Sequence, residues 1–147
     1  MTFDTTLTAD STKAEIRSEW VRALRSNEYK QGRKRLRVDD KFCCLGVLCD
    51  LAAQAGLAKW ESSDVYGETI STLVDGNNRR GLPWVLLPPD IAKWAGIEPD
   101  GKLRKPLIED TGLFYDTLAG VNDGGHHDFS AIARLIEDDY VRTDDEQ

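Results

Sequence analysis

Three cysteines, two histidines and a basic run are the residues whose types and spacing could carry chemistry. Cys43 and Cys44 stand at the start of an apolar segment, and a helix N-terminus shifts a thiol toward thiolate. With His126 or His127 as base and Asn122, Asp123 or Asp128 as the orienting group, these residues have the parts and chain order of a cysteine hydrolase. The opposing reading is that the thiols are core residues. Their neighbours are mostly apolar, and a reduced buried cysteine packs as a small hydrophobe. Cys44 and Cys49 are five apart, on different sides of a helix, and an odd count is no disulfide framework. A CC-x4-C cluster is poor zinc geometry, so neither a metal site nor a cofactor is expected.

The second candidate is the basic segment Lys30, Arg33, Lys34, Arg35 and Arg37. Residues 13–41 carry a net charge of +5, and the rest of the chain carries −12. Such a patch suits phosphate, nucleic acid or an acidic protein. A turn led by Gly32 with exposed amides could cradle an anion. Neither GxxxxGK[ST] nor GxGxxG is present. The competing reading is a solvated face that pairs with acidic elements of the same molecule. Trp60, Tyr66, Trp84 and Trp94 could offer stacking surfaces for a small nucleotide-like anion, although aromatics at such spacings serve cores more often. The carboxylate pairs, such as Asp39/Asp40 and Asp138/Asp139, are sequence neighbours and do not face one another on a helix. Residues 90–97 and 128–136 have helix-turn-helix features, but Pro99, Gly101 and Pro106 spoil one recognition helix and Glu137-Asp138-Asp139 would repel phosphates at the other.

The elements that must position these groups follow from periodicity. Residues 1–11 are polar and read as a mobile arm, residues 12–142 as one globular domain, and residues 143–147 as an acidic tail. Thr12 and Glu15 form a capping box, and Ile16, Trp20 and Leu24 follow at helical spacing, which predicts a helix over 13–26. Residues 35–38 alternate as a strand, Asp39-Asp40 makes a turn, and the acidic pair favours the dipole of the next helix. Residues 42–55 are apolar nearly all round, apart from a stripe of Gly46, Asp50 and Gln54, and predict the central buried helix. Residues 70–74 predict a short strand, paired near 35–38. Pro88-Pro89-Asp90 opens a helix that Gly96 ends. Residues 98–106 read as a polar loop, and 111–121 as a helix burying Leu113, Phe114 and Leu118. A last helix, capped by Asp128 or Ser130, covers 129–140. The sum is an α+β, mostly helical, compact single domain with a central buried helix and a small β-hairpin or sheet.

The chain has 147 residues and a net charge of −7. That excludes a surface that grips nucleic acid or anionic lipid all over. No apolar run is long enough to span a bilayer, and no signal peptide is visible at the start.

The run Phe42-Cys-Cys-Leu-Gly-Val-Leu-Cys-Asp-Leu51 is distinctive. So are Trp20 to Arg25, Tyr29 to Gly32, Leu87 to Gly96 and Asn122-Asp-Gly124 with Phe129 and Ile132-Ala133. Together they resemble a family of small proteins encoded by tailed bacteriophages and prophages. The resemblance implies expression in the cytoplasm of an infected bacterial host and carries no catalytic residues across. The expected function is a non-enzymatic accessory protein that binds a host bacterial protein, such as a defence factor, and modulates or inhibits it through the 30–37 segment. The alternatives are a sponge for a small anionic ligand, a cysteine-dependent hydrolase and a nucleic-acid-binding protein.

Overall fold

The computed structural model describes residues 3–77, 86–109, 112–124 and 127–141. Five α-helices and seven strands are described: α1 Lys13–Arg25, β1 Lys30–Gln31, β2 Arg37–Val38, β3 Lys41–Phe42, α2 Cys44–Gln54, β4 Ala58–Val65, β5 Glu68–Asp75, α3 Pro89–Ala95, β6 Lys102–Ile108, β7 Phe114–Thr117, α4 Leu118–Asp123 and α5 Phe129–Ile136. A π-helical turn, Glu137–Val141, extends α5. The expectation of a mostly helical domain is overturned. The domain is α+β, with a five-stranded mixed sheet ordered β1-β3-β2-β5-β4 and a separate β6–β7 hairpin.

Local signals set the helices. Thr12 accepts from the Glu15 amide and Glu15 accepts from the Thr12 amide, so the capping box forms. Asp128 caps α5 through the Ala131 amide. Helix α2 is the centre of the core, with Leu45, Val47, Leu48, Cys49, Leu51 and Ala52 buried. It begins at Cys44, two residues later than predicted, because Lys41 and Phe42 belong to β3. Its cap is the Cys43 sulfur, which accepts from the Gly46 amide. The pair Asp39-Asp40 therefore precedes a strand rather than a helix. Asp39 instead accepts from the Thr69 amide and ties β5 to the turn. Gly46 faces β2 so closely that a Cβ would overlap the Leu36 carbonyl oxygen. Asp50 accepts from the Tyr29 hydroxyl and the Trp60 indole. Gln54 holds the backbone of Phe3 and Thr5. The polar stripe of α2 is thus the seam for its neighbours. Within the segment 1–11, expected to be a mobile arm, Phe3 and Thr5 are held on that seam, Thr8 is held by Trp94, and Phe3 and Leu7 are buried.

The predicted pairing of 35–38 with 70–74 is present, with Arg37 opposite Ser71 and Val38 opposite Ile70. Other elements differ from their prediction or, like β4, had none. Strand β4 is a full partner of β5, joined by a two-residue turn in which Tyr66 and Gly67 both have positive φ. The polar loop at 98–106 is mostly β6, a basic edge strand whose Arg104 and Lys105 amides donate to the Asp139 carboxylate at an irregular register. The helix predicted over 111–121 is β7 followed by α4, with Thr117 capping α4 through the Gly120 amide. Helix α5 ends at Ile136, short of the predicted 140, where the π-helical turn begins. The acidic tail at 143–147 lies outside the described residues. No described helix is long and apolar enough to cross a membrane.

Candidate functional site

The thiols sit where no substrate reaches them. Cys43, Cys44 and Cys49 are fully buried and unpaired by disulfides. Burial pushes the Cys43 thiol up to about 12 and raises Cys44 and Cys49 as well. This outweighs the helix N-terminus, because a charged sulfur would lose its solvation. Cys43 is spent as a cap, and the Cys44 thiol points at the Leu118 carbonyl. The Nε2 of His127 lies 3.2 Å from Glu109, and its ring packs edge-on against Tyr115. Asp128 is a helix cap, and His126 lies outside the described residues. Asn122 is fully buried and bonds in four directions. Its oxygen accepts from the Cys44 amide and from Gln31, and its nitrogen donates to the Gly32 carbonyl and to Asp123. It is a structural knot, joining α4 to the start of α2 and to the 31–34 turn. The geometry gives the thiols the core role. Among the described residues, no three of His, Cys, Asp and Glu converge as a metal cluster would require.

The basic segment is only partly turned outward. Lys30 pairs with Asp40 at 3.0 Å. Arg37 lies over the rings of Phe42 and Trp60, 4.9 and 5.4 Å from their centroids. Arg35 is half-buried. Arg33 and Lys34 are exposed. The amides expected to cradle an anion are used internally: Gly32 donates to the Phe42 carbonyl and Lys34 to the Asp123 carboxylate. Of the five predicted contact residues, Arg33 and Lys34 alone combine exposure with no described ion pair.

Among the described residues, exposed apolar bulk is confined to two places. Among the described residues the large hydrophobic side chains turned to solvent are Val65, Tyr66, Ile108, Leu113 and Phe114. Val65 and Tyr66 form the tip of the β4–β5 hairpin. Ile108 and Phe114 are directly paired near the tip of the β6–β7 hairpin, with Leu113 beside them. Leu113 and Phe114, predicted to be buried in a helix, are 49% and 57% exposed. The sequence reading missed Val65 and Ile108. Their only signal is an apolar residue beside a turn, which core strands share. The other aromatic candidates serve the fold. Trp60 bonds Asp50, and Trp94 donates to the Thr8 carbonyl. Trp84 lies outside the described residues.

No curated protein and no solved structure matches the chain. A family model described as a domain of unknown function, DUF8296, matches residues 12–140. That span runs from the cap of α1 to the π-helical turn after α5 and includes both hairpins, the Asn122 knot and the three thiols. The chain belongs to this DUF8296 family.

Proposed function

We propose that the chain is a non-enzymatic binding protein that engages a macromolecular partner through its two hairpin tips. The observation that carries this reading is the segregation of exposed apolar side chains. Every large one among the described residues sits on a hairpin tip, while the rest of the apolar bulk is at least partly buried. Exposed aromatic and branched side chains on a rigid hairpin act as anchors, because burying them against a partner releases water at little conformational cost. Tyr66 supports the same reading. Its φ of +49° is a conformation in which a bulky residue is strained, and it gains no burial in return. Arg33 and Lys34 supply a second, electrostatic contact that steers encounter with an acidic partner. From the resemblance to tailed-phage proteins, the proposed partner is a bacterial host protein that this chain modulates or inhibits.

The test is capture from bacterial lysate by four forms: the native chain, Ile108→Ser/Phe114→Ser, Tyr66→Ser and Arg33→Glu/Lys34→Glu. The expected outcome is one stoichiometric protein on the native chain. Its affinity should fall about 10- to 100-fold in the Ile108→Ser/Phe114→Ser form. The charge-reversed form should lose less and show a weaker salt dependence. Equal recovery on all four forms would overturn the assignment of the tips.

A further inference from the structure

A cleft of about 570 Å³, separate from both hairpin tips, gathers four cations from three elements. Lys13 comes from the first turn of α1, Lys93 from the last turn of α3, and Lys102 and Arg104 from alternate positions of β6. Glu98 is the one carboxylate on its wall, so the rim is net +3 in a chain whose total is −7. Among the described residues, none of the ammonium groups of Lys13, Lys93 and Lys102 has a carboxylate partner. This contrasts with Lys30, Arg22 and Arg25, which do.

The floor is apolar and firmly built. Two guanidinium groups lie over the Tyr140 ring, Arg17 at 5.2 Å and Arg104 at 4.9 Å from its centroid. Its hydroxyl donates to the Lys102 carbonyl. Arg17 is buried behind the cleft and donates to the carbonyls of Ala95 and Gly96, which fixes the turn after α3. Gly96 leaves room there for the Lys13 stem, which a Cβ would meet at 2.6 Å. Leu103 and Ile97 complete the apolar wall.

We propose that this cleft binds a phosphate ester of nucleotide size. The ammonium groups of Lys13, Lys93 and Lys102, brought to one rim without carboxylate partners, repel one another, and a ligand with two or more negative charges relieves that repulsion. The volume lies within the range of small-molecule sites. The apolar wall of Tyr140, Leu103 and Ile97 takes the uncharged part of the ligand, and Glu98 accepts from its hydroxyl or amino groups. The site differs from the 30–37 segment, whose amides are already bonded within the fold.

The test uses ATP and inorganic pyrophosphate as probes, read by titration calorimetry and by the shift in melting temperature. The native chain should bind both, with ATP at least about tenfold tighter because only ATP reaches the apolar wall. Lys93→Glu/Lys102→Glu changes two exposed side chains, so the fold should survive, and it should weaken ATP binding by at least about tenfold. Lys41→Glu/Lys59→Glu makes the same change in net charge at two exposed residues away from the cleft and should leave ATP binding unchanged. No binding of ATP at millimolar concentration would overturn the proposal. So would equal losses in the two double variants, which would mean that net charge alone attracts the anion. Equal affinity for ATP and pyrophosphate would overturn the nucleotide-sized ligand.

Discussion

Asn122 shows what single residues do in this molecule. Its four hydrogen bonds reach the Cys44 amide, Gln31, the Gly32 carbonyl and Asp123. Asn122→Ala would leave the buried Cys44 N–H and the half-buried Gly32 C=O without partners, at a cost of about 3 kcal/mol in a denaturant melt. A loss below about 1 kcal/mol would show that the knot is dispensable. Gly46→Ala should cost at least about as much, because the new methyl overlaps the Leu36 carbonyl and neither backbone can move freely. The thiols give a pH prediction. The folded pKa of Cys43 is raised, so its contribution to stability is complete below the unfolded value near 9 and is lost as pH climbs through about 12. Stability should be insensitive to these thiols at neutral pH and fall on the alkaline side. At pH 8 none of the three should react with a thiol reagent until urea unfolds the chain. Rapid native labelling of Cys43 or Cys44 would revive the nucleophile reading. Legibility at this scale tracks sequence distance. The Thr12–Glu15 box and the Asp128 cap were readable because each partner is three residues away. The Asn122 knot was not, because its main partners lie 78 to 91 residues away.

Among the elements, the helices with clear caps and the pairing of 35–38 with 70–74 were legible, and both hairpins were not. Strand β4 carries Ser62, Ser63 and Asp64 on an exposed sheet edge, so its alternation lacks an apolar half. Its turn uses Tyr66-Gly67 in place of the Asn-Gly or Asp-Gly that signals a hairpin. Strand β6 contains Lys, Arg and Pro106, residues tolerated on an edge strand but read as loop in isolation. Strand β7 falls inside the helix expected over 111–121, whose Phe114 and Leu118 are both expected buried, whereas Phe114 faces solvent and Leu118 faces the core. The same misreading concealed the candidate surface. Tyr66→Asn separates stability from binding, because Asn tolerates left-handed φ. It should hold or raise the melting temperature, worth up to about 1 kcal/mol, while weakening partner capture. A marked loss of stability would mean that Tyr66 serves the fold.

For the whole molecule, the decisive feature is where polarity and apolarity are left unpartnered. The core surrounds α2, where the three cysteines are spent as packing and a cap, and Asn122 ties α4 to its start. Among the described residues, what faces outward includes two apolar hairpin tips and a cationic cleft, in a chain of net charge −7. Composition gave the net charge but could not locate the cleft, because Lys13, Lys93, Lys102 and Arg104 are brought together only by the fold. The central claim is that the hairpin tips are the binding surface. It is tested most directly by placing a photo-crosslinking phenylalanine analogue at position 66, at position 114 or, as a control, at exposed Lys59 near the start of β4, at the far end from the hairpin tip. After irradiation in bacterial lysate, positions 66 and 114 should each link to the same host protein and position 59 should not. Crosslinks to that protein from position 59 alone, or none from either tip, would contradict the account.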